Sequence, residues 1–143
     1  MKNILVAVEF DDSTDKLIQQ SKQFASVFGA KLWLIHIAPE EPDFVGYHEG
    51  PKYIRDGFAD ELREEHRHLQ AIWKSLEANG IDTEGLMVQG PTIEMLLSEA
   101  DKLSVDMIIT SSHKRSFLYK AFFGSVSTEL FEKASIPVLA IPV

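Results

Sequence analysis

The sequence predicts an α/β fold: one open, doubly wound, five-stranded parallel sheet with helices on both faces. Three observations predict it. Short apolar runs rich in β-branched residues alternate end to end with longer stretches of helical periodicity, the pattern of β-α-β units joined by crossovers. The runs stop at about five residues, as in Ile4 to Val8, which suits strands covered on both faces and falls far short of the roughly 18 that a membrane span needs. The chain of 143 residues, 45% of them apolar, is long enough for one sizeable core and one domain over 1–143.

Taken in order, Ile4-Leu5-Val6-Ala7-Val8 is a buried strand that ends in the polar turn Glu9 to Thr14. From Ser13 to Phe28, Leu17, Ser21, Phe24, Ala25 and Phe28 recur at spacings of three and four, and Gly29 supplies the stop. Leu32 to Ile37 is a second strand, interrupted only by His36 near its end. Ala38 to Ile54 carries Gly and Pro without periodicity, a connection long enough to suggest a lid or a partner surface. A polar helix follows from Arg55 to Asn79, with Phe58, Leu62, Leu69, Ile72 and Leu76 on one stripe and Asn79-Gly80 closing it. Thr83 to Gln89 is a weaker strand. Gly90-Pro91-Thr92 turns into a helix carrying Ile93, Leu96, Leu97 and Ala100. Met107 to Thr110 is the fourth strand, Ser111 to Ser116 a polar loop, a short helix starts near Ser125, and Val138 to Ile141 is the fifth strand.

Charge and composition remove several functions. Lys and Arg number 14 against 22 Asp and Glu, a net charge of −8. That balance argues against a general nucleic-acid binder, which needs a positive field to displace counterions. Residues 40–65 hold nine of the acids, and the simplest account of them is a solvated helix face and loop. No cysteine is present, which excludes disulfide scaffolds, thiolate metal sites and cysteine nucleophiles and fits a reducing, cytoplasmic compartment. Met1-Lys2-Asn3 leads straight into a strand-like run, so neither signal peptide nor membrane anchor is expected.

In an open doubly wound sheet the ligand crevice lies beyond the C-terminal strand ends, where strand order reverses. The residues leaving the first, second and fourth strands are Glu9-Phe10-Asp11, His36-Ile37-Ala38 and Thr110 to Arg115, and they should converge on one rim. Gly124-Ser125-Val126-Ser127 opens the last helix. Its amides and hydroxyls suit an anion, but a plain helix start with Ser125 as N-cap is the better account from the residues alone. Lys114, Arg115 and Lys120 form a local positive patch that suits either phosphate or solvent.

The strand-end acid after Ile4 to Val8, the Leu34-Ile35-His36-Ile37 run, Ile109-Thr110-Ser111-Ser112-His113, Gly124-Ser125-Val126-Ser127 and Ile136-Pro137-Val138-Leu139 together resemble the universal stress protein family over essentially the whole chain. The resemblance implies a Rossmann-like sheet of the adenine nucleotide alpha hydrolase-like type, in strand order 3-2-1-4-5. In the nucleotide-binding branch the signature is Gly, two residues, Gly, nine residues, then Gly-Ser or Gly-Thr. Ser111, Lys114 and Gly124-Ser125 keep that spacing but replace the first two glycines. Side chains at those positions obstruct a bare-backbone phosphate cradle, and Glu9 stands where the family has an adenine-contacting Asp. The matched adenosine-side positions are Ala7, Val8, Glu9 and Ile37; the phosphate-side positions are Ser111, His113, Lys114, Gly124, Ser125, Val126 and Ser127. ATP or AMP is the implied ligand, with binding weakened or lost, or else retained as a nucleotide switch on the Ser111 to Ser127 loop.

A homodimer is also implied, partly through the last strand. Val138 to Val143 would form an apolar edge that a second copy covers, and Pro142 either ends that pairing or blocks it.

Other candidates point to structure. His66 and His68 lie two apart and face different sides of a helix; Glu64 and His68 share a side but make only a two-ligand pair, so no metal is expected. His36 fits a core hydrogen bond better than a general base. Tyr47, His48 and Tyr53 suit a lid or an interface. No nucleophile elbow, phosphate loop or dinucleotide fingerprint occurs, and no base is placed for an attacking water. The expected role is therefore non-enzymatic, a regulatory or protective stress-response protein, with at most slow incidental ATP hydrolysis.

Overall fold

In a computed structural model of the chain, residues 1–39, 52–112 and 132–142 are described. Eight elements follow one another: β1 (Asn3–Ala7), α1 (Thr14–Phe28), β2 (Lys31–Ala38), α2 (Lys52–Ala78), β3 (Thr83–Gln89), α3 (Thr92–Lys102), β4 (Met107–Ser111) and β5 (Val138–Ile141). The strands form one sheet in the order β3-β2-β1-β4-β5, all neighbours parallel, as expected.

β1 is the axis. Ile4, Val6 and Val8 point to one face with Leu32 and Leu34 of β2, and meet Leu17 and Ala25 of α1 and Leu69 and Leu76 of α2. Leu5 and Ala7 point to the other face, where Ile35 and Ile108 meet Leu96 and Ala100 of α3. The period-two alternation of a strand thus splits one continuous apolar run between two cores.

Most boundaries move by one or two residues, for local reasons. Gly29 takes the left-handed conformation (φ 63°) that closes α1. At its start, the Asp11 carboxylate accepts from the Ser13 amide at 2.9 Å and from the Ser13 hydroxyl, while the Asp11 amide donates to Thr14 Oγ1 at 3.1 Å. This reciprocal turn satisfies amides at the helix entrance. Pro91 is the N-cap of α3 rather than its first helical residue. Residues 52–54, expected in the long connection, are already helical, whereas Ser111, expected in a loop, is the last residue of β4. The rest of that connection (40–51) and the helix expected near Ser125 lie outside the described residues, though Glu132 and Lys133 are helical.

Two contacts hold the sheet away from its crevice end. At the N-terminal edge of the strands, the Asp106 carboxylate accepts from the amides of Lys2 (2.7 Å) and Asn3 (2.9 Å), and the Asp106 amide donates to Asn3 O at 2.8 Å. At the sheet edge, Trp73 of α2 packs against β3 at Gly85, where an added Cβ would collide with Cε3 and Cζ3 of the Trp73 ring.

The Asn3 and Lys2 amides hold the Asp106 carboxyl below its ordinary pKa. A lowered carboxylate stabilises the fold above the unfolded value, near 3.9, and loses that contribution as pH falls through the folded value. Asp106→Asn should therefore lower the thermal midpoint at neutral pH, and the difference from the unaltered protein should close below about pH 4, as followed by circular dichroism. Gly85→Ala should cost about 1–3 kcal/mol by forcing Trp73 out of its seat. Urea titration checks the loss, and Trp73→Leu in the same chain should recover part of it.

Candidate crevice at the parted ends of β1 and β4

The strand ladders locate the crevice. The β1–β2 register runs to Ala7↔Ile35, and the Val8 amide extends it by donating to Ile35 O at 2.8 Å. On the other side the β4–β5 register runs to Ser111↔Ile141, and the Ser112 amide extends it by donating to Ile141 O at 2.9 Å. Between β1 and β4 the register ends earlier, at Val6↔Ile109. Past that pair each strand keeps its outer neighbour and leaves its inner one. The C-terminal ends of β1 and β4 therefore part, which is how a topological switch point makes room for a ligand.

The expected residues reach this opening in different ways. Ala7 and Ile37 belong to the α3-side core, Ala7 buried and Ile37 half-buried. Val8 sends its side chain into the opposite core, so toward the crevice it offers backbone only. Glu9 is half-buried, with its Oε2 shielded from solvent. Thr110 and Ser111 are buried at the end of β4, and the Ser112 hydroxyl donates to Ile141 O at 3.2 Å. His113, Lys114, Gly124, Ser125, Val126 and Ser127 lie outside the described residues, as do Tyr47 and His48.

The β1 side of the opening is braced by residues that sequence reasoning did not assemble. Phe10, directly after Glu9, has φ 36°, a left-handed conformation that costs a side-chain-bearing residue about 1–2 kcal/mol. Its ring packs on His36 (centroids 4.6 Å apart) and on His68 (5.5 Å). His36 Nδ1 lies 2.8 Å from Val8 O, and Nε2 lies 3.0 Å from Glu65 Oε2 of α2. His36 thus holds hydrogen bonds at the edge of the core, as expected for it, and ties β2 to both β1 and α2. Glu65 stood among the acids of 40–65 and drew no attention. Its one signal was position: three residues after Leu62 and four before Leu69, on the apolar stripe.

The other polar clusters resolve as surface pairs. His66 meets Trp73 edge-on and His68 meets Phe10, so the two histidines diverge; Glu64 pairs with Arg67 at 3.3 Å. Among the described residues no group of three or more His, Asp and Glu side chains is placed to hold a metal ion. No helix among them is long and apolar enough to cross a membrane.

Comparison with known proteins agrees with this architecture. The chain matches the model of the Universal stress protein family over residues 1–142. Universal stress protein MJ0577 of Methanocaldococcus jannaschii is 24% identical over 98% of this chain and 94% of its own length. Universal stress protein YxiE of Bacillus subtilis is 24% identical over 96% of this chain and 97% of its own. A solved structure of MJ0577 superposes with a TM-score of 0.78, covering 99% of this chain and 96% of that one. The universal stress protein from Archaeoglobus fulgidus, solved in complex with dAMP, superposes with a TM-score of 0.64 at 18% identity, covering 99% and 98%. That last likeness is one of fold.

Proposed function

The chain belongs to the universal stress protein family, with the Rossmann-like fold of its structural neighbours, and we propose that it serves the stress response as a cytoplasmic, non-enzymatic homodimer whose nucleotide binding is weakened or lost. The observation that carries the reading is Ser111. It matches the first glycine of the nucleotide-binding signature, and it is a strand residue, buried to 1% exposure, on the β4 side of the crevice. A Cβ and hydroxyl there take up space that a bare backbone leaves open, and Lys114 at the second glycine position adds a long side chain where amide groups are wanted. Glu9 in place of the family's Asp extends the acid by one methylene toward the base.

A second reading, an ATP- or AMP-binding switch using the Ser111 to Ser127 loop, is favoured by a different observation. The ends of β1 and β4 still part after Val6↔Ile109, and the Archaeoglobus fulgidus relative carries dAMP. On that reading Ala7, Val8, Glu9 and Ile37 face the adenosine, and His113, Lys114 and Gly124 to Ser127 the phosphates. Support for the homodimer comes from β5, the end strand of the sheet among the described residues. Val138, Leu139 and Ala140 are half-exposed there, an edge that a second copy can cover.

Isothermal titration of nucleotide-stripped protein with ATP and AMP, with and without magnesium, should give no measurable heat, and mass spectrometry of the protein as purified should find no retained nucleotide. Ser111→Gly with Lys114→Gly should then raise affinity at least about tenfold, some 1.4 kcal/mol. Micromolar binding by the unaltered chain, weakened by Lys114→Gly alone, would establish the switch instead. Light scattering should give twice the 16.1 kDa chain mass, and Ala140→Lys, at an edge-strand position outside both core clusters, should return a folded monomer.

A further inference from the structure

Both ring nitrogens of His36 face acceptors. Nδ1 lies against the Val8 carbonyl oxygen, which only accepts, and Nε2 against the Glu65 carboxylate, which when ionised only accepts. A neutral imidazole has one N–H and can serve one of these partners while turning a lone pair toward the other. The arrangement is complete only with a proton on each nitrogen, His36 as imidazolium and Glu65 as carboxylate. We propose that the His36–Glu65 pair is a proton-operated latch: protonated, it holds α2 down on the C-terminal ends of β1 and β2; on losing the proton it gives up one of its two bonds and lets α2 lift from that end of the sheet. The latch stands whether or not a nucleotide binds, since it rests on three described residues and no ligand.

The side chains of His36 and Glu65 keep 12% and 27% of their exposure, enough for a proton to exchange with solvent and little enough for the pair to act at reduced dielectric. Around His36, β1 and its turn supply Glu9 and Asp11, and Asp11 is engaged with Ser13. α2 supplies Glu65 and, across the Phe10 ring, His68. On β3 the register partner is Met87, flanked by Leu86 and Val88, none of which carries charge. Phe10 covers the ring, so the Glu65 bond is the one aimed outward to α2 and the one that deprotonation exposes. The consequence falls on α2, because Val8 keeps both its amide bond to Ile35 O and its carbonyl bond to His36.

The sign follows from the bonds. The latch is closed on the acid side of imidazole titration while carboxylates remain ionised, and it opens as pH rises through the neutral range where imidazole gives up its proton. Glu65→Gln tests this without removing the contact. A glutamine offers an oxygen to an N–H and an amide to a lone pair, so neutral and protonated His36 are both satisfied. Thermal midpoints measured from pH 5.5 to 8.5 should show the unaltered protein losing about 4 °C relative to Glu65→Gln; the four other histidines are common to both proteins, so whatever they contribute cancels in that difference. Hydrogen exchange across the Glu65 turn of α2 should quicken with pH in the unaltered chain beyond the chemical rate and stay level in Glu65→Gln, while the Val8 amide, held by Ile35 O, stays protected in both. Parallel pH profiles for the two proteins would overturn the latch and leave His36 a fixed brace. Should Glu65→Gln fail to fold, nitrogen-15 spectra of the His36 ring in the unaltered protein decide. Two protonated nitrogens on the acid side, with one released as pH rises, support the latch, and a single protonated nitrogen throughout the range with Glu65 ionised refutes it.

Discussion

The rest of the structure depends on β1 being buried on both faces while hydrogen-bonded on both edges. Ile4, Leu5 and Val6 retain no exposure, and a parallel strand in that position must have helices above and below it. α1 and α2 supply one cover and α3 the other. With β2 on one side of β1 and β4 on the other, the chain has to reverse direction across the sheet at that seam. The strands can remain paired there only until the connections on either side draw them apart, and Val6↔Ile109 is the last pair before they do. The crevice is thus a result of covering the central strand.

The two walls of that crevice are held by different chemistry. On the β4 side, Ser112 closes onto Ile141 through its amide and its hydroxyl, bonds between neutral groups within the sheet. On the β1 side, the bracing runs through a titratable ring to a different element, and the turn after it contains a residue in left-handed conformation. Strain of that kind persists only where surrounding contacts over-determine it, and the contacts of Phe10 with His36 and His68 do so here. One wall is a continuation of the sheet; the other is assembled from three elements.

The fold was legible because its signals are local. A run such as Ile4 to Val8 needs only its own residues to be read as a buried strand, and Gly29 marks a helix end by its own conformational freedom. Ser111 was misplaced into a loop because its type favours turns, while its pairing with Ile141, thirty residues on, decides for the strand. The position of the crevice was legible from strand order. Its bracing was not: Glu65 is one acid among nine in its stretch, and nothing near it in sequence announces a histidine on another element. The seat of Trp73 on Gly85 was hidden for the same reason, since each residue makes sense only beside the other.

The strand order also sets a schedule for a chain emerging from the ribosome. β1 meets β2 after some thirty residues of synthesis, and β3 joins them by residue 89. The other edge of β1 must wait for β4, about a hundred residues after β1 itself. Until then a three-stranded half-sheet presents its most apolar strand as an open edge, and the α3-side cover, itself synthesised only after β3, has to arrive with β4. Contacts so distant in sequence form late and slowly, and an unpaired apolar edge invites pairing with another nascent copy. The seam that parts to make the crevice is therefore also the later of the two seams of β1 to close, and the interval before residue 111 is synthesised is when this chain most needs protection from its own kind.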